Sequence, residues 1–145
     1  MKLIPLAGAL AFLVAGVALA HEGVKNSVVM ARMNGMTSIA KDMKIIGNMA
    51  KGIEQFDATK VRHALEAVAA EAAKTPELFE ANEDDPKSEA RPEIWSNYED
   101  FTAKAIELES VANQLIPTIA NKDDLRPAMR KLAESCSSCH KVYRE

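Results

Sequence analysis

Apolar residues recur along this chain at the three- and four-residue steps of an α-helix, and residues that end helices separate the runs. Val29, Met33, Met36, Ala40, Met43 and Ala50 mark one face of a first helix over 24–51, which Gly52 closes. Asp57 is a good N-cap for a second helix over 57–74, whose buried stripe is Val61, Leu65, Val68 and Ala72. Thr75 and Pro76 are expected to break it, with Leu78 and Phe79 tucking back onto the core. The stretch 82–91 holds Glu83, Asp84, Asp85 and Pro86, has almost nothing to bury, and reads as a solvated crossover. A third helix starts at Pro92, a residue suited to a first helical position. Ile94, Trp95, Tyr98, Phe101, Ala105 and Leu108 lie on its inner face, and Pro117 disturbs its end. A fourth follows Asp123 and runs to about Arg144. Nothing reads as a strand, an internal repeat or a nucleotide loop. Amphipathic helices with mostly short joints predict an all-α fold, an antiparallel four-helix bundle.

The first residues stand outside this pattern. Met1 and Lys2 precede an uncharged run from Leu3 to Leu19, and Ala18 and Ala20 supply the small-x-small pattern of a signal-peptidase site. The expected cut after Ala20 gives a signal peptide, 1–20, and one domain, 21–145, in the periplasm. The run is short for a spanning helix, and no second one follows, so no stable membrane insertion is expected after cleavage. Losing Lys2 takes the formal charge from −3 to −4. Such mild acidity argues against a nucleic-acid binder, which carries a basic patch. Scarce glycine and plentiful alanine, lysine, glutamate and methionine agree with helices.

Candidate chemistry is concentrated near the end, in Cys136-Ser137-Ser138-Cys139-His140. In an exported chain two cysteines usually mean a disulfide, but that leaves His140 unexplained. A thioredoxin-like pair needs a strand-to-helix junction, and a zinc site needs a further ligand cluster; neither is visible. The C-x-x-C-H spacing fits covalent haem attachment. Positions three and four apart share a helix face, so both thiols can reach the vinyl groups on one porphyrin edge while His140 turns onto the iron. One covalently attached haem c is therefore the expected cofactor.

With its haem motif near the C-terminus of a four-helix bundle, the chain resembles the class II c-type cytochromes, the cytochrome c prime family. Arg32 followed by Met36, the stretch Ala90-Arg91-Pro92-Glu93-Ile94-Trp95, and the tail Lys141-Val142-Tyr143-Arg144 carry the rest of the likeness. The resemblance implies that His140 is the proximal iron ligand and that Met36 faces the other side of the iron. Many members have a non-ligating residue there and a five-coordinate, high-spin iron open to nitric oxide or carbon monoxide. Met36 offers a thioether instead, as in the low-spin branch of the family, although methionine at helical spacing is more often core filler. For Arg32 the resemblance implies a haem propionate partner; the alternative is an exposed helix charge. His63 reads as solvated, His21 as the mature N-terminus, and Trp95 as a core or haem-edge anchor.

These readings lead to a periplasmic one-electron carrier, not an enzyme, with His140/Met36 ligation and redox proteins as weakly docking partners. The alternative is a high-spin protein that binds nitric oxide or carbon monoxide at an open distal site. Many members of the family form dimers through their first two helices, so the resemblance also raises a homodimer.

Overall fold

The computed structural model describes residues 23–145. The expected signal peptide, its cleavage point and His21 lie outside that range. Helix α1 spans Ser27–Lys51. Asn26 caps its start by accepting from the Val28 and Val29 amides at 2.8 and 3.2 Å. Its end is closed by Gly52 at φ 76°, a left-handed turn that a side chain would strain.

Helix α2 spans Ala58–Leu78, with the Asp57 carboxylate accepting from Lys60 N at 3.0 Å. The expected break at Thr75 and Pro76 does not occur: Pro76 lies inside the last turn. There a proline forfeits a single internal hydrogen bond. Local bonds support the turn, since Thr75 Oγ1 donates to Glu71 O at 3.0 Å and Tyr98 Oη donates to Pro76 O at 2.6 Å.

The helix expected from Pro92 is two helices. A short α3, Glu93–Ser96, seats Ile94 at 2% exposure. Asn97 then leaves helical geometry at φ −135° and ψ 47°, and α4, Tyr98–Leu115, starts afresh. Single helical turns at Ile116–Thr118 and Lys122–Asp124 lead into α5, Leu125–Tyr143. Asp124 accepts from the Ala120 and Asn121 amides at 2.9 and 2.8 Å, which fixes the chain's entry into α5.

The four long helices form the expected antiparallel bundle, with α1 against α2, α2 against α4, α4 against α5 and α5 against α1. Among the described residues there is no strand, only an isolated antiparallel bridge between Ala90 and Arg144. The larger core cluster joins α1, α2, α4 and α5 through Ile46, Met49, Leu65, Val68, Ala112, Leu125 and Leu132. A second, aromatic cluster of Phe79, Ile94, Phe101 and Tyr143 lies where α3 and the ends of α2 and α5 meet the start of α4.

The crossover over 82–91 is more than solvated chain. Asp85 is only 6% exposed. Its carboxylate accepts from Lys25 N at 2.9 Å, Asn26 N at 3.1 Å and Lys87 N at 2.9 Å. Asn26 Nδ2 donates to Glu83 at 2.7 Å. The crossover thus fastens to the start of α1. Its other end is tied to the chain terminus, where Arg91 N donates to Tyr143 O at 3.0 Å and Glu145 N to Glu89 O at 2.9 Å.

Candidate functional site

Cys136, Cys139 and His140 lie on the last turns of α5. The two cysteines are free and half-buried, and His140 is exposed. Burial pushes the Cys139 thiol up to about 11; Lys104 opposes this, while Cys136 and Asp100 add to it. Burial also raises Cys136. A dithiol catalyst needs the reverse, a cysteine biased toward thiolate. Among the described residues no group of three or more His, Cys, Asp or Glu side chains is placed to hold a metal ion. Partial desolvation of the His140 ring, helped by Arg144 and opposed by Glu89, lowers its proton affinity. This favours the neutral imidazole, the state in which it can ligate iron.

Met36 stands on α1 between the two core clusters and packs against both. Cys139 packs against the aromatic one. The two sequence-predicted groups, one on α1 and one on α5, therefore share one wall of packing. Two buried hydroxyls, Thr102 Oγ1 on α4 and Ser135 Oγ beside Cys136, have no hydrogen-bond partner. Two thiols and an imidazole on consecutive turns, a thioether packed against the same cluster and the spare Ser135 hydroxyl beside Cys136 fit a covalently attached haem.

Arg32 is 2% exposed, so it is not a free surface charge. Its Nε donates to Leu78 O at 2.8 Å, Nη1 to Glu83 O at 2.7 Å and Nη2 to Ala81 O. The guanidinium lies 4.8 Å from the centre of the Phe79 ring and 5.2 Å from that of Trp95. Trp95 is an anchor of the same segment, donating from Nε1 to Phe79 O at 2.9 Å and to Ala81 O at 3.2 Å. Together they hold the chain that leaves α2. His63 is exposed, at a groove of about 410 Å³ between α1 and α2 that also takes in Asp42 and Asp57, away from the cysteine motif.

Two groups in this region escape the sequence reading. Asp85 has a weak signal, an Asp-Pro step of the kind that starts turns. Asp100 has none; its importance comes from Tyr143, whose hydroxyl donates to Asp100 Oδ2 at 2.6 Å.

A family model described as Cytochrome C′ matches residues 27–144. Cytochrome c-556 of Agrobacterium tumefaciens (strain B2A) is 34% identical over 110 residues, covering 75% of this chain and 89% of that protein. Cytochrome c-554 of Cereibacter sphaeroides is 34% identical over 152 aligned residues, covering 100% of this chain and 99% of its own. The solved structure of cytochrome c′ from Rhodopseudomonas palustris superposes with a TM-score of 0.74 at 26% identity, over 83% of this chain and 98% of that one.

Proposed function

The chain belongs to the cytochrome c′ family of class II c-type cytochromes, and from that premise we propose that it is a periplasmic one-electron carrier whose haem is ligated by His140 and Met36. Haem c, covalently bound, is the cofactor of this family and supplies a ferric/ferrous couple. Cys136 and Cys139 are the residues for its two thioethers, and the neutral His140 ring is the proximal ligand. The observation that carries the distal assignment is the shared packing of Met36 and Cys139 against the aromatic cluster.

A thioether is a soft ligand that favours ferrous iron, so His/Met ligation raises the reduction potential. Met36 comes from the middle of α1 and His140 from α5, whose end the aromatic cluster and the tail contacts hold in place. Ligands fixed this way change geometry little between oxidation states, which speeds transfer from a reduced protein donor to an oxidised acceptor. If His140 and Met36 both held the iron, no position would remain for a substrate, which is why we read the protein as a carrier rather than an enzyme. Arg32 keeps one N–H on each terminal nitrogen beyond its carbonyl bonds, and we assign these to a haem propionate.

Redox proteins of the periplasm are the proposed partners, and α1 and α2 the proposed face of a homodimer. Residues 1–20 are the proposed export signal. Among the described residues no helix is long and apolar enough to cross a membrane.

Visible spectra of the oxidised and reduced protein, before and after carbon monoxide, test the reading. The expected result is a low-spin spectrum with a thioether-to-iron charge-transfer band and no response to carbon monoxide. Met36→Leu should turn this into a high-spin spectrum that shifts with carbon monoxide. Unchanged ligation in that variant sinks the Met36 assignment. A carbon monoxide response in the unsubstituted protein supports the gas-binding alternative in place of the carrier.

A further inference from the structure

Beside the cysteine motif two opposite charges are fixed on α4. Asp100 stands on its first turn and Lys104 one turn later, with Lys104 Nζ 3.8 Å from Asp100 Oδ2. The same oxygen receives the Tyr143 hydroxyl at 2.6 Å. Asn97 Nδ2 in turn donates to Tyr143 Oη at 3.2 Å. Tyr143 is 3% exposed, and its ring meets Phe101 edge-on at 5.4 Å. A phenol so tightly enclosed keeps its hydroxyl in one place, so the carboxylate it holds is kept in one place too.

Cys139 lies one helical turn before Tyr143 and packs against the same aromatic cluster. Asp100, held by the Tyr143 hydroxyl, is thereby tied to the same cluster that Cys139 packs against, and Lys104 is paired with it. The Lys104 side chain is 22% exposed and that of Asp100 46%, so water screens the carboxylate more than the ammonium.

We propose that Asp100 and Lys104 set the reduction potential of the haem from its Cys139 edge, and that Tyr143 is the positioning residue that keeps Asp100 there. This rests on the haem-binding reading above. Taking up an electron lowers the positive charge of the iron by one, so a nearby cation favours the ferrous state and a nearby anion the ferric. The two charges oppose each other, and removing either exposes the other.

The test is the reduction potential of the haem-loaded protein and its variants, measured at low ionic strength. Asp100→Asn should shift the potential upward and Lys104→Gln downward. Tyr143→Phe frees the carboxylate to swing into water, and should give a smaller upward shift. In an Asp100→Asn background the same tyrosine change should add nothing, because its effect passes through the carboxylate. A purely structural role moves melting temperatures but gives no opposed pair of potentials. Shifts of the same sign from Asp100→Asn and Lys104→Gln, or no shift from either, overturn the proposal while the haem reading stands. If the unsubstituted chain carries no haem after expression with attachment machinery, both fall together.

Discussion

At Arg32 a cationic side chain is almost wholly removed from water and its three nitrogens each hold a backbone carbonyl. Burial lowers its proton affinity and the nearby carboxylates Glu83 and Asp84 offset part of that, but an arginine stays charged at any physiological pH. Arg32→Met removes the donors while keeping apolar bulk under Trp95 and Phe79. It leaves the carbonyls of Leu78, Ala81 and Glu83 short of partners, and should cost about 2–4 kcal/mol of unfolding free energy in urea titration. Arg32→Lys should recover only part of this, because an ammonium on a flexible stem lacks the planar fork. The sequence shows that Arg32 and Met36 share a helix face one turn apart. It does not show the carbonyls, which come from a segment far along the chain and are brought in by the end of α2. The haem motif is legible for the opposite reason: its three side chains are local, and helical spacing alone puts them together.

At the level of elements, helix starts are legible where a side chain caps its own helix, as at Asn26 and Asp57. Asn26→Ala should cost about 1 kcal/mol, read from the urea midpoint at unchanged slope. Asn26→Gly should cost only a few tenths on capping grounds, so any larger loss measures the Glu83 contact. Helix ends are less legible because distant groups decide them. Pro76 stays inside α2 with the Tyr98 hydroxyl on its carbonyl, and Phe79 N closes the end onto Thr75 O and Pro76 O. The division between α3 and α4 is equally hidden. One apolar period runs through both, and Asn97 breaks the helix where its side chain reaches Tyr143 on α5. Periodicity reports which face is buried; it does not report a change of direction that keeps the same face inward.

Over the whole molecule, the bundle follows from the sequence because each long helix carries an apolar stripe that only its neighbours can cover. What ties the bundle's ends does not, because those ties are polar and join segments distant in sequence. Asp85 is the clearest case. Hydrogen bonds from the Lys87, Lys25 and Asn26 amides, with help from the Lys25 charge, hold its carboxyl below the usual range. A depressed folded-state pKa means that the unfolded chain takes up the proton first. The stabilisation is therefore complete above the ordinary aspartate value of about 4, and is lost as pH falls through the lower folded value. Asp124 and Glu54 are depressed as well and add to the same acid sensitivity, whereas Asp42 is raised by burial and by Glu71 and works against it. Asp85→Asn keeps the shape but surrenders the charge. Its melting temperature should lie below that of the parent at pH 6, and the gap should narrow as both proteins are taken to pH 3, because below the ordinary aspartate value the unfolded parent takes up the proton and the stabilisation from its charge shrinks. A gap that persists unchanged to pH 3 would place the cost in shape rather than charge. No gap at pH 6 would mean that the crossover holds to α1 without its carboxylate.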